Sequence, residues 1–197
     1  MGRVTRGQTG RVQWVAVLAL AALGVAVAAM ITAVAVVVQV RRQSELSRFN
    51  AGLASLWQLR SEWNGDDMLD VRAGAAEALL DGRGGDDVDA VLDFFDEVAF
   101  LMRRGAVDTE LVWYQFYWPM VHYWAAARDY AGEARKTDPT AWEQLDAAMP
   151  VLLAIEAQRR GRSSAEVLPD RAAIRAFLQD EVGDASCSED DARRTPL

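Results

Sequence analysis

Three polar residues, Gln115, His122 and Asp129, recur at seven-residue spacing, which sets them along one face of an α-helix. His122 is the only histidine in the chain, and a general base steered by a nearby acid would need such a shared face. The spacing also argues against catalysis. Two helical turns separate His122 from Asp129 by roughly 10 Å along the axis, too far for direct pairing. No nucleophile accompanies the three, so a satisfied or solvent-facing histidine is the simpler reading of this polar seam.

The acids Asp81, Asp86, Asp87, Asp89, Asp93, Asp96 and Glu97 raise the question of a metal. They lack the alternating oxygen ligands, central glycine and terminal glutamate of a calcium loop, and no histidine lies among them to complete a zinc site. Acids at a helix N-terminus and along its wet face account for them. Cys187, the single cysteine, stands in a polar tail with no base to activate it. There is no phosphate loop, dinucleotide fingerprint or hydrolase elbow. The sequence therefore points to no catalytic residue, no cofactor and no metal, and reads as a non-enzyme.

The elements that would position these groups fall into two unlike parts. From Trp14 to Val38, 25 consecutive residues carry no charge, flanked by Arg11 and by Arg41-Arg42. At about 1.5 Å per residue a helix of that length exceeds the roughly 30 Å hydrocarbon layer, and it is too long for a cleaved secretory signal. Residues 14–40 thus read as an uncleaved transmembrane helix after a short basic tail, 1–13. Arg41-Arg42 abuts the apolar run more closely than Arg11 does, which favours a cytoplasmic position for residues beyond the span. Gly24, Ala28 and Thr32 form a row of small residues that would let two such helices pack as a homodimer, although an alanine-rich helix contains such rows by chance.

All 29 acids lie C-terminal to the span. Beyond Val40 the balance is 18 basic against 29 acidic residues, or −11, which opposes nucleic-acid binding. Periodicity in residues 41–182 is helical almost throughout, predicting an all-α bundle of about five or six helices. Leu46, Phe49, Leu53, Leu56 and Trp63 suggest a first helix continuing from the span, ended by Asn64-Gly65. Asp66 or Asp67 would cap a second. Val88, Val91, Leu92, Phe95, Val98, Ala99 and Met102 mark a third, with Asp89, Asp93 and Asp96 facing away. Asp108 would cap a fourth, running to about Lys136 with a kink, or two abutting helices, at Pro119. A fifth would open at Asp138-Pro139 and be disturbed at Pro150, and a short last helix would start at Pro169-Asp170. Residues 183–197 read as a disordered acidic tail.

Eight aromatics lie between Trp113 and Tyr130, including all four tyrosines. Such a helix is either the core of a bundle or a partner surface, and the core reading is preferred. Phe94-Phe95-Asp96-Glu97-Val98-Ala99, Arg103-Arg104-Gly105 with Val107-Asp108, then Tyr123-Trp124 and Arg135 resemble a bacterial family labelled domain of unknown function 4760. The resemblance covers roughly Trp57 to Glu156. It implies a helical, membrane-anchored architecture and no activity. Asp96 departs from the glutamate expected there. The residues that carry the motif, Phe95, Glu97, Gly105, Asp108, Trp124 and Arg135, have folding roles in this reading. Gly105 permits a left-handed cap, and Arg72 or Arg135 is expected to pair with Glu97.

These features imply a single-pass membrane protein touching the bilayer through residues 14–38, whose helical domain acts by contact with an unknown protein as scaffold, sensor or accessory subunit. The alternative is a small-molecule-binding or enzymatic domain centred on His122, Gln115, Arg72, Arg135 and the aromatic helix. An enclosed polar pocket at His122 would favour the alternative. A packed core with exposed aromatics would favour contact.

Overall fold

The computed structural model describes residues 49–194 without a gap, with side chains through Gly183, together with Met30, Thr32, Val36, Gln39, Val40, Arg41, Gln43 and Ser47. The chain divides into two compact units, Met1–Arg48 and Phe49–Leu197. Most of the apolar run 14–38, and with it the expected transmembrane helix, lies outside the described residues. Among the described residues no helix is long and apolar enough to cross a membrane. The eight described positions of the first unit are helical.

The second unit is all-α, with no strand among the described residues. Helix α1 spans 49–63. It is followed by α2 (Asp66–Leu80), α3 (Asp86–Arg103), α4 (Thr109–Ala126), α5 (Arg128–Ala134), α6 (Glu143–Arg160) and α7 (Arg171–Arg194). α2 packs along α7 and α3, and α3 lies between α2 and α6. Rings from four helices fill the centre: Trp63 lies 4.7 Å from Phe95 and 6.2 Å from Tyr123, and Phe177 meets Tyr123 edge-on at 5.3 Å. Such offset and edge contacts add to the burial of large apolar surface.

The inward face of α1 keeps Leu56 and Trp63 of its three-four pattern but is rotated away from Phe49. Phe49 is exposed, and Gly52, Leu56, Leu59 and Trp63 form the buried stripe. The cause is the close approach at Gly52, where a Cβ would stand 2.6 Å from the Ala106 carbonyl oxygen. Only a residue without a side chain lets the helix lie against the α3–α4 turn. α2 starts from Gly65 with no side-chain cap, and Asp66 and Asp67 instead occupy its first turn, where they face the positive end of the helix dipole. The apolar stripe of α3 is buried as predicted, with Phe94 added to it.

The break in the aromatic helix falls at Ala127, not at Pro119. α4 passes through Pro119 without interruption, then α5 starts after one turn residue. Re-aiming the chain there lets Tyr130 lie over Gly84, where a Cβ would be 1.9 Å from its ring. The Tyr130 hydroxyl donates to Asp89 Oδ1 at 2.6 Å. α6 begins later than Asp138-Pro139 predicts, because Asp138 is spent on a turn, accepting from the Thr140 amide and hydroxyl, and Trp142 is left-handed at φ 52°. Pro150 lies inside α6 without ending it. The last helix is not short: backbone reading as tail from Gly183 continues α7 to Arg194. No proline intervenes before Pro196 to stop it.

Candidate functional site

The polar seam does not assemble. Gln115 Oε1 accepts from the Arg60 guanidinium, joining α4 to α1. Asp129 is exposed on α5, beyond the break at Ala127. His122 alone is buried, 1% exposed, and its ring lies 4.2 Å from Trp118 and is stacked on Phe177 at 4.7 Å. Each of the three has gone to different surroundings, so no relay connects them.

Asp86, Asp87, Asp93 and Glu97 of α3 are exposed, as expected of a wet face, and Asp89 and Asp96 are half-buried. Asp89, Asp93 and Asp96 recur at four and three residues, and all three accept hydrogen bonds from the segment that leads into α6. Asp89 takes the Tyr130 hydroxyl, and Asp93 takes the Trp142 indole N–H at 2.7 Å. Asp96 accepts the Leu145 backbone N–H at 2.8 Å. Because Trp142 leaves α6 with no side-chain cap of its own, Asp96 supplies one from a neighbouring helix, satisfying an amide that has no partner within the helix. A shorter side chain than the expected glutamate makes that bond. The Asp89 hydrogen bond pushes the Tyr130 phenol up to about 12.

Neither arginine pairs with Glu97, which is exposed. Arg72 meets Glu181 with two bonds, 2.6 Å from Nε and 2.8 Å from Nη2. It also donates to the Trp63 carbonyl and lies over the Trp63 ring at 4.6 Å. The Tyr123 hydroxyl sits against Glu181 Oε2 at 3.2 Å and the Arg72 carbonyl at 3.0 Å. Burial, with the Glu181 charge beside it, pushes the Tyr123 phenol upward. Arg135 instead donates to the Ala141 carbonyl and pairs with Asp146 at 2.8 Å, while Asp146 also accepts the Trp124 indole N–H.

The remaining motif residues serve the same end. Phe95 is fully buried, Gly105 is left-handed at φ 66° after α3, and Asp108 accepts from the Glu110 and Leu111 amides at the start of α4. These are contacts that fix how helices meet. Glu181, Asp146 and Glu156 are the acids that sequence reading does not single out. They have partners 109, 22 and 43 residues away in the chain, which no local spacing signals, although Glu156 also meets Arg160 one turn along α6.

Two surfaces remain. One is aromatic: Trp57, Tyr114 and Trp118 are 64%, 73% and 57% exposed. Tyr114 and Trp118 are one turn apart on α4, and the Arg60–Gln115 bond between the helices ties them to α1, with Arg60 over the Trp57 ring. The other is a cleft of about 360 Å³ between α4, the end of α6 and the loop before α7, lined by His122, Trp118 and Tyr117 and by Glu156 and Arg160. Tyr117 reaches the loop through Val167 O at 3.4 Å. Burial, with Glu156 adding to it, pushes the Tyr117 phenol up to about 12. Glu156 is buried and holds the Trp113 indole N–H at 3.1 Å and the Arg160 guanidinium. Burial lowers the His122 pKa.

No curated protein and no solved structure matches the chain. The family model described as Domain of unknown function (DUF4760) matches residues 16–149, which takes in the α3 motif, the α4 aromatics and the start of α6. The chain therefore belongs to the DUF4760 family.

Proposed function

We propose that this DUF4760 member is a single-pass membrane protein whose helical domain works by protein contact, through the aromatic face of α1 and α4. The observation that carries the reading is the exposure of Trp57, Tyr114 and Trp118 around the Arg60–Gln115 bond. Large rings are the residues that anchor interfaces, and a domain that already has a well-filled aromatic centre has no packing need for three more outside. The polar residues with catalytic potential support the same view, because Arg72, Arg135 and Gln115 are engaged in joining helices.

Anchoring rests on the uncharged run from Trp14 to Val38, and a cytoplasmic domain on Arg41-Arg42 beside it. The anchor places the domain at a membrane surface, where its −11 charge keeps it off anionic lipid and free to meet a protein. Two experiments test the reading. A membrane-impermeant maleimide applied to intact cells should leave Cys187 unlabelled, and labelling before lysis would reverse the orientation. Replacing Trp57 and Tyr114 together by serine, with Trp118 kept because its ring packs on buried His122, should remove neighbours found by proximity labelling while leaving the unfolding midpoint in place. An unchanged set of neighbours would refute the contact face.

A further inference from the structure

Among the described residues, His122 Nε2 is the one buried side-chain polar atom without a hydrogen-bond partner. The other ring nitrogen explains its state. Nδ1 lies 2.7 Å from the Trp118 carbonyl oxygen, and a carbonyl can only accept, so Nδ1 carries the proton and Nε2 of the neutral ring presents a lone pair. Burial holds the ring in that neutral form. An acceptor enclosed among Trp118, Phe177 and the cleft wall, with no donor in the protein, is costly unless something supplies one.

His122 lines the cleft of about 360 Å³, a size that suits a small molecule. Tyr117, Trp118, Val121 and the 167–169 segment give it apolar walls. Its charged lining is Glu156, Glu166 and Asp170 against Arg160 alone, a formal −2. The Arg160 guanidinium is already bound to Glu156, and Arg162 offsets part of the Glu166 charge, so the rim stays negative at Glu166 and Asp170 by less than the formal count. Acceptor lone pair and negative rim together select a donor with positive charge, and reject a carboxylate or phosphate.

We propose that this cleft binds a small amine, whose ammonium group donates to His122 Nε2 once the exposed Trp118 ring that covers the imidazole swings aside, and whose ring-sized apolar body rests against the 167–169 segment. The site does not depend on the contact face being correct. Trp118 belongs to both surfaces, so an occupied cleft would shift one ring of the contact face.

Phenethylamine is a suitable probe, with phenylacetate as the anion of the same shape. The full-length protein in detergent micelles has one histidine, so its imidazole nitrogen-15 signals report on His122 without ambiguity. Phenethylamine should move the Nε2 signal saturably, phenylacetate should not, and His122→Phe, which keeps a ring between Trp118 and Phe177 but offers no acceptor, should weaken binding by about tenfold or more. An Nε2 signal unmoved by millimolar phenethylamine would mean that water fills the site and would overturn the proposal. Equal binding of phenylacetate, or undiminished binding to His122→Phe, would also overturn it. The nitrogen signal of the native protein decides the matter even if the variant does not fold.

Discussion

Arg72 on α2 and Glu181 on α7 meet through two hydrogen bonds of 2.6 and 2.8 Å, 109 residues apart in the chain and largely shielded from water. The pair fastens the last helix to the second and gives the Tyr123 hydroxyl a buried partner. Removing one member strands the other charge in the interior. Arg72→Ala or Glu181→Ala should cost about 3–5 kcal/mol in urea unfolding, while Arg72→Met with Glu181→Leu should recover much of that loss. Equal losses for the single and double variants would argue against this role.

Asp96 caps a helix to which it does not belong. Asp96→Ala should destabilise by about 0.5–2 kcal/mol, as loss of an N-cap does elsewhere, and Asp96→Asn, which keeps an acceptor oxygen, should cost less. The Leu145 amide, now bonded to Asp96, should exchange hydrogen faster in the alanine variant by mass spectrometry.

Gly84 leaves room for the Tyr130 ring, since a Cβ there would overlap it at 1.9 Å. Gly84→Ala should lower stability by about 1–3 kcal/mol through overpacking. Combined with Tyr130→Ala, the two losses should be less than additive, because the clash disappears with the ring. Strict additivity in a double-mutant cycle would contradict the contact.

His122 gives the domain a predictable acid response. Its folded pKa lies below the ordinary 6.5 because burial disfavours the cation. As pH falls below 6.5 the unfolded chain takes up a proton that the folded chain does not, so stability drops by up to about 1.4 kcal/mol per pH unit until the folded pKa is reached. With a single histidine in the chain, His122→Phe should flatten the stability profile between pH 6.5 and the onset of carboxylate titration. A slope that persists in the variant would place its origin elsewhere.

Helical periodicity makes the all-α architecture and the α3 stripe legible, because burial on one helix face leaves a three-four pattern in any sequence. The Gly105 and Asp108 caps are legible for a similar reason, since capping is local. Long-range pairings leave no such mark. Asp89, Asp93 and Asp96 read correctly as the outer side of α3, but nothing in their spacing announces that Tyr130, Trp142 and Leu145 donate to them. A seven-residue spacing through Gln115, His122 and Asp129 says nothing of the break at Ala127 that separates the last of them. Proline in a helix is a local expectation, and neither Pro119 nor Pro150 ends the helix that contains it. The isolation of His122 Nε2 has no sequence signal, because it depends on which donors fail to arrive.

Contact between the α1–α4 aromatic face and a protein can be tested in living cells. A photo-crosslinking amino acid is placed at Tyr114, which is 73% exposed, and in a second strain at Lys136, which is exposed on the far side of the Ala127 break. The expected result is a discrete crosslinked species from position 114 that is absent from position 136 and is lost when Trp57 is replaced by serine. No adduct at 114, or the same adducts from both positions, would contradict the contact face.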